Sequence, residues 1–350
     1  MAGPTLTENK GMKYRKERLD RGIKARSDTI FALSSYREAL YLLLPRAVTV
    51  IGLLLLPLVL DEYWTKVVVI TCVVAILALS WDFIASAGMF SLGQALFFGV
   101  GSYLSGIMNH YWGWPPILSI PLATLFGGAF STILILPVLR LRGIYFAMVT
   151  FVLPLILVRI IEMSGAFGGV EGLSALSPMP SLWVGSYLVI FVLFLCLFGS
   201  RKLMDSDYGV VLKGIKGNDQ AVMSGGINIY RYKAQALFVG AAAGAFAGAF
   251  MTHFYRFVGL PAFSMDYTIL PIASTVVGGA GMFAGSMFGA FILVPLTELL
   301  RAIGTWRVVL YSFLMVFFIV ALPEGIFHYL QRKYHQVQRW VATESKHGRQ

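Results

Sequence analysis

Long apolar runs alternate with short polar segments along most of this chain, between residues 46 and 323. A helix needs about 20 mainly apolar residues to cross the hydrocarbon of a bilayer. The runs therefore predict ten spans, at residues 47–60, 66–86, 92–109, 116–138, 143–161, 183–199, 233–253, 268–282, 284–301 and 306–322. The third and eighth are short and glycine-rich, so either is expected to cross fully or to be re-entrant or broken. The sequence therefore predicts between eight and ten transmembrane crossings.

Composition supports a membrane protein. The chain is 57% hydrophobic and 13% charged, with a mean hydropathy of +0.75, and its charged fraction is about half that of a soluble domain. We therefore expect an all-α polytopic protein with membrane lipid as part of its solvent. A net charge of +11 could favour nucleic acid, but the charges avoid the apolar runs, so no nucleic-acid partner is expected.

The positive residues predict an orientation. With a cytoplasmic N-terminus, ten spans place 23 of the 28 lysines and arginines on the cytoplasmic side, as short cytoplasmic loops require. Both termini are then cytoplasmic. We expect a basic N-terminal segment at 1–45, with an interfacial helix at 27–44 or a flexible tail up to Ser27. A transmembrane domain follows at 46–323, with its longest polar loop, at 200–233, inside; a basic cytoplasmic tail occupies 324–350.

The sequence offers little for catalysis. It contains no G-x-x-x-x-G-K-[ST], H-E-x-x-H or C-x-x-C pattern, and Cys72 and Cys196 fall inside apolar runs, where a small hydrophobe is the usual role. No metal site or enzymatic chemistry is expected. His253 is expected to be an interface residue at the end of a span.

The sequence also offers only weak candidates for the ionisable side chains that ion-coupled transport requires. Ionisable groups at membrane depth mark ion sites, but Asp82, Glu162 and Glu298 all lie near the ends of spans and are expected to be terminal or paired charges. This favours an external energy source. A stand-alone secondary carrier or channel and an assembly factor without transport remain the alternatives.

Small residues at every fourth position predict close helix packing in lipid. Two such glycine ladders occur, and the predicted packing residues are Gly240, Gly244, Gly248, Gly281, Gly285 and Gly289.

The long inner loop carries a compact polar pattern at 212–228. It predicts a short helix with Asn218 or Asp219 as its N-cap and with Gly225 or Gly226 at its end. Such a helix could dock in the cleft of a partner, although a solvated loop helix is an equally common use of this pattern.

Several blocks, in order, resemble one known family. Leu139–Thr150 is similar to the pattern R-L-R-G-x-Y-x-A-x-x-T, and 168–173 is similar to G-G-x-x-G-L. The blocks 90–103, Gly226-Ile227-Asn228 with Lys233, and 278–290 fit the same family. Between Ala78 and Leu300 the chain resembles the permease subunits of ATP-binding-cassette (ABC) importers of the branched-chain amino acid type, in the M-like branch of the Liv permeases.

The resemblance implies a type II importer permease fold in the plasma (inner) membrane of a prokaryote. It implies a second permease subunit, expected to be a different chain, and two ATPase subunits that bind ATP and Mg, so that this chain carries no cofactor. An external or periplasmic solute-binding protein completes the assembly. The cargo is expected to be a branched-chain or other hydrophobic amino acid, with urea, short amides or aromatic carboxylates as alternatives.

The resemblance also implies site residues. The inner loop would be the coupling helix, with the family pattern E-A-A-x-x-x-G; here Gln220 replaces the acid and Asp219 is adjacent. The implied ATPase-coupling residues are Lys216, Asp219, Gln220, Ala221, Val222 and Gly226. By resemblance and position, the translocation path is expected at Ser91, Gln94, Tyr145, Thr150, Ser274 and Thr275. Leu155 stands near where the family often has a Glu.

Overall fold

The structure is a computed structural model. It describes the backbone of residues 13–18, 36–304 and 338–343, together with 306, 313, 316–317 and 325–327. The chain divides into two compact units, Met1–Val48 with His328–Gln350 and Thr49–Phe327.

In the first unit, two strands pair in an antiparallel sheet. β1 (Lys13–Arg18) pairs with β2 (Gln338–Thr343), with Lys13 opposite Thr343. The sequence predicted only tails here, so this sheet is an exception to the all-α expectation. The predicted interfacial helix at 27–44 lies partly outside the described residues; from Tyr36 onward the chain is one helix that continues into the first span.

Eleven α-helices occur in the described residues. They are α1 (Tyr36–Val59), α2 (Glu62–Ser86), α3 (Gln94–Trp112), α4 (Pro116–Ile135), α5 (Ile144–Ser164), α6 (Leu182–Met204), α7 (Asp207–Gly217), α8 (Asp219–Ser224), α9 (Ile229–Tyr255), α10 (Asp266–Gly278) and α11 (Phe283–Leu299). Among the residues that the structure describes, six segments are long and apolar enough to cross a membrane, which confirms a polytopic helical membrane protein. The tenth predicted span, 306–322, lies mostly outside the described residues.

Helix α2 forms the centre of the membrane unit. Its most apolar window is 94% buried, and it packs against α6, α9, α10 and α11. A helix that is apolar all round can be buried on every side. Cys72 on α2 is fully buried among other apolar side chains, in the role of a small hydrophobe.

Helix α5 is the opposite case. Only 22% of its apolar window is buried, and Met148, Phe151 and Leu155 are exposed on its surface. Because these side chains are apolar, they suit contact with lipid or with another membrane subunit rather than water.

Glycines set the spacing of the helices around α2. A Cβ at Gly248 would overlap the carbonyl oxygen of Phe98, and one at Gly289 would overlap that of Ser274. At Gly240 it would come within 2.5 Å of Ile84 Cγ1, at Gly244 within 2.6 Å of Phe97 Cβ, and at Gly285 within 2.8 Å of Gly278 O. These five glycines allow backbones to approach closely.

Gly281 does not belong with them. It lies in the turn between α10 and α11 at φ +86°, and a Cβ there would meet nothing within 4 Å. The packing role predicted for it is therefore wrong. Its N–H instead donates to Asp82 Oδ1 at 2.7 Å, while Ser286 Oγ donates to Oδ2 at 2.8 Å. Asp82 thus fixes this turn, a role that its position near a span end did not predict.

The loop between α5 and α6 lies against the C-terminal ends of α3 and α9 and the N-terminal end of α4. Its Leu173 forms an antiparallel bridge with Val258. His253 is only 1% exposed, and its Nε2 lies 2.7 Å from Ser119 Oγ while its Nδ1 lies 2.8 Å from Ser177 O. His253 lies two residues before the end of α9, and these polar partners allow its side chain to be buried between the helices.

Candidate functional site

The segment between α6 and α9 forms two helices rather than a plain loop. Helix α7 is anchored by Leu212 and Ile215, which are 0% and 4% exposed. Tyr208 on α7 stacks on Tyr232 of α9 with ring centroids 5.6 Å apart, and its hydroxyl donates to Tyr232 O at 3.3 Å. Burial raises the pKa of Tyr208 to about 12, so it stays a donor. Helix α7 therefore packs firmly against the bundle.

Helix α8 is the short helix that the sequence predicted. The Asn218 carboxamide oxygen accepts from Gln220 N at 3.1 Å and from Ala221 N at 3.2 Å, which is an N-cap. The helix ends where Gly226 adopts φ +82°, a left-handed conformation that suits glycine. The preceding helix, α7, was not predicted, because Gly209, Gly214 and Gly217 disfavour helix in its sequence.

The two faces of α8 differ. Val222 and Met223 are half-buried and pack against the apolar core. Gln220, Ala221, Ser224 and Gly226 are exposed, as is Lys216 at the end of α7. The exposed face of α8 therefore consists of small and polar residues that are accessible to a partner protein.

Asp219 joins α8 to two distant parts of the chain. Its Oδ2 lies 3.2 Å from Arg142 Nε, in the connection between α4 and α5, and 3.7 Å from Lys233 Nζ on α9. The Asp219 and Lys233 side chains are 18% and 8% exposed, and Arg142 is 53% exposed. Because Lys233 is almost buried, the carboxylate is its main compensation for lost hydration.

A polar cavity of about 350 Å³ lies beside this junction. Its lining comes from the α2–α3 connection, the α4–α5 connection, the α7–α8 segment and the start of α9, and includes Met89, Arg142, Lys216, Asp219 and Lys233. A Cβ on Gly88 would lie 3.1 Å from the Lys216 Cα, so the two backbones are nearly in contact. Four segments of the bundle thus meet at α8. Within the described part of the chain, no cluster of His, Cys, Asp or Glu could hold a metal ion.

Three of the predicted translocation residues lie together beside an irregular segment. Residues 90–93 are non-helical and lead into α3 at Gln94. Leu92 N donates to Thr150 Oγ1 at 3.1 Å, Gly93 N donates to Ser91 Oγ at 3.1 Å, and Ser80 Oγ lies 3.3 Å from Gln94 Oε1. Ser91, Gln94 and Thr150 are all fully buried.

The other predicted path residues are placed differently. Ser274 and Thr275 are buried on α10, and Thr275 Oγ1 donates to Ala78 O of α2 at 3.2 Å. Tyr145 is 68% exposed at the start of α5. None of the six lines either of the two cavities described for this chain. Ala78 and Ser80 are two residues apart, so α2 connects the two buried groups.

Sequence reasoning missed three residues of these sites. Ser80 and Thr268 bond the start of α3, the latter accepting from Ala95 N at 3.0 Å, and isolated hydroxyls in apolar runs carry no distinguishing signal. Arg142 lies within the block Leu139–Thr150, whose family pattern assigns it no partner. Its pairing with Asp219 joins positions 77 residues apart, which spacing cannot predict.

Comparison with known proteins identifies the family. Residues 63–322 match the family model described as the branched-chain amino acid transport system permease component. The high-affinity branched-chain amino acid transport system permease protein LivM of Escherichia coli is 25% identical over 303 residues, covering 77% of this chain and 71% of the relative. A probable branched-chain amino acid transport permease protein LivM of Methanocaldococcus jannaschii is 26% identical over 239 residues, 62% of this chain and 69% of the relative. No solved structure matches this chain. This multi-pass membrane protein belongs to the family of branched-chain amino acid transport system permease components.

Proposed function

We propose that this chain is the permease subunit of an ATP-driven ABC importer that moves branched-chain or other hydrophobic amino acids inward by alternating access. The names of the relatives support the substrate class. In this proposal a second permease completes the pathway, and two separate ATPase subunits bind ATP and Mg and hydrolyse the ATP. An external solute-binding protein delivers the cargo, and the assembly lies in the inner membrane of a prokaryote.

The observation that carries the proposal is the position of α8. Its outer face is exposed and consists of small and polar residues. Its inner side is joined through Asp219 to the start of α5 and to α9. A partner that moves α8 would therefore move two long helices at once. A solvated loop helix needs no such connection.

The distribution of side chains between the two ends of the bundle supports a cytoplasmic position for α8. Arg140, Arg142, Arg201, Lys202 and the basic residues of α7 share its end, as the positive-inside rule favours. At the opposite ends of α3 and α4, Tyr111 and Trp112 are 58% and 59% exposed, as in an aromatic interface belt.

The solute path in this proposal runs beside the start of α3. Discontinuous helices with irregular backbone commonly form transporter sites, and α3 begins after the non-helical residues 90–93. Gln94 Nε2 is buried and, in the described part of the chain, has no hydrogen-bond partner. A buried donor without a partner is costly, and a polar group of a solute would satisfy it when the path opens.

Replacing Gln94 by leucine is expected to raise the KM for solute uptake at least fivefold, because the donor offered to the solute is lost. Assembly should not change, since the amide nitrogen has no hydrogen-bond partner among the described residues, and Ser80, which lies near the amide oxygen, also donates to Gly240 O. The measurement is uptake of radiolabelled leucine, isoleucine and valine into proteoliposomes. Ser131→Ala is the matched control, because it removes another buried polar group that has no hydrogen-bond partner among the described residues. Equal uptake by Gln94→Leu and the parent would remove Gln94 from the path.

Gly226→Ala is expected to lower solute-stimulated ATPase activity about threefold or more while the subunits still co-purify. The side chain would meet no neighbour, but φ +82° is strained for alanine, at roughly 1–2 kcal/mol, so the end of α8 would shift. Gly225→Ala is the control, because Gly225 has φ −74°. Identical ATPase stimulation in both variants would count against a coupling role for this end of α8.

The whole proposal is tested by expressing the chain with its neighbouring genes, purifying it by a tag and measuring ATPase activity in liposomes. Two co-purifying ATPases, and turnover raised by a binding protein loaded with a branched-chain amino acid, are the expected results. A chain that purifies alone and transports without ATP would instead be a secondary carrier or channel. Stimulation by urea, short amides or aromatic carboxylates would keep the importer and replace the substrate.

A further inference from the structure

A large apolar groove lies on the membrane unit, away from the polar cavity at α8. It has a volume of about 800 Å³, and its walls are formed by α2, α4, α6 and α9. Lining side chains such as Leu125, Phe191 and Leu195 are 55–66% exposed, so the groove opens sideways onto the surface of the bundle. No residue of α5 lines it.

The groove lining contains few polar groups that could bind a polar ligand. Its few hydroxyls include Ser80, which donates to Gly240 O at 2.8 Å, and Thr124, which donates to Ile120 O at 2.8 Å. Both are already satisfied within the helices. Along α6 the lining extends from Val184 to Leu203, which is about 28 Å of helix and close to the thickness of the bilayer hydrocarbon.

One charged side chain stands at the end of this lining. The groove-lining residues of α6 include Leu188, Val192, Leu195 and Gly199. Lys202 follows Gly199 at the same helical spacing of three to four residues, next to the last lining residue, Leu203. Lys202 is exposed, and the described residues offer it no ion pair. Arg201 lies about 100° around the helix from Lys202 and does not share this spacing.

We propose that this groove binds one anionic phospholipid from the leaflet at the Lys202 end. An acyl chain lies along Leu195 and Gly199, and Lys202 extends its ammonium to the headgroup phosphate, as lysines at helix ends do. The apolar walls exclude a soluble anion, and the lysine gives an anionic lipid an advantage over a zwitterionic one. The lipid would link α6 to α4 and α9 across the gap between them.

Gly199 allows a clean test, because a Cβ there would meet nothing within 4 Å. Gly199→Leu adds a side chain to the groove without displacing a helix. Gly52→Leu is the matched control, since a Cβ at Gly52 also meets nothing and Gly52 lies outside the groove. For the charge, Lys202→Gln is paired with Arg201→Gln.

The experiment uses native mass spectrometry of the full-length chain, purified with its associated subunits, after titration with phosphatidylglycerol or phosphatidylcholine. We expect Lys202→Gln to weaken phosphatidylglycerol binding about fivefold, equivalent to roughly 1 kcal/mol for one lysine near an anionic surface, and Arg201→Gln to leave it unchanged. Gly199→Leu should reduce binding of both lipids, and Gly52→Leu should not.

Equal losses from Lys202→Gln and Arg201→Gln would indicate general surface charge and overturn the proposal, as would full lipid binding by Gly199→Leu. A photo-cross-linker at Leu195 gives a further check: attachment to another protein segment instead of a phospholipid would assign the groove to a subunit interface. The lysine pair keeps the test decisive if Gly199→Leu fails to fold. These outcomes do not depend on the cargo or on ATP coupling.

Discussion

Asp219→Asn should uncouple the transporter: solute-stimulated ATPase activity is expected to fall at least tenfold, while the subunits remain assembled. The change keeps the shape of the side chain and removes its charge. Arg142 and Lys233 then lose the carboxylate that holds the α4–α5 connection and α9 to α8. A movement imposed on α8 would no longer reach α5 and α9 together. ATPase activity and uptake in proteoliposomes, measured on the same preparation, test this.

The stability of the chain should change far less than its coupling. Arg142 is 53% exposed, so solvent screens its pair with Asp219, and pairs of this kind contribute about 1 kcal/mol or less. Lys233, which is 8% exposed, accounts for most of any loss. A large fall in ATPase stimulation with a small change in the thermal unfolding midpoint is therefore the expected signature.

Asp205→Asn is the matched control, because Asp205 is exposed in the same loop and has no ion pair within the described ranges. A double-mutant cycle with Arg142→Gln adds a second check: the double variant should be no worse than Asp219→Asn, because both changes break the same pair. Strictly additive losses, or full activity in Asp219→Asn, would show that movement reaches the bundle by another route.

The sequence predicted the helices well where their signal is local. Apolar runs located α2, α4, α5, α6 and α9, and the pair Asn218 and Gly226 located α8, because an N-cap and a left-handed glycine act within a few residues. The helix α7 was not predicted, because its three glycines have a low helix propensity. The packing of Leu212 and Ile215 against the core outweighs this low propensity in the folded chain.

The sites depend on contacts that local patterns do not encode. Gly281, Gly285 and Gly289 follow one another at intervals of four residues, which predicts the same packing role for each. However, α10 ends at Gly278, so Gly281 lies in the turn that follows, whereas Gly285 packs against a neighbouring backbone. The position of Asp82 near the end of its span predicts a terminal or paired charge, but it does not identify the partners Gly281 and Ser286, which lie about 200 positions away. Such pairings follow from the way α2 packs at the centre, which is a property of the whole fold.

Asp82 also suggests how movement at α8 could reach α10 and α11. It lies on α2, only six residues before Gly88, whose backbone approaches Lys216 at the end of α7. At the same time it holds the α10–α11 turn through both carboxylate oxygens. The α7–α8 segment therefore adjoins two connections: Asp219 to α5 and α9, and the α2–α3 corner to α10 and α11. In an alternating-access cycle, these connections would let one short helix reposition both halves of the bundle.

Gly289→Ala should strongly destabilise the membrane unit. A Cβ at Gly289 would overlap the carbonyl oxygen of Ser274, and in a close-packed interface such overpacking costs about 1–3 kcal/mol or more. Because α10 and α11 contact each other here, their separation would disturb the turn that Asp82 holds. The expected result is a fall in the thermal unfolding midpoint and in the yield of folded protein, measured in detergent. Gly52→Ala, which meets no neighbour, should leave both unchanged. If Gly289→Ala matched Gly52→Ala in stability, then α10 and α11 could separate at little cost, and their close contact would be a feature of one conformation rather than a fixed part of the fold.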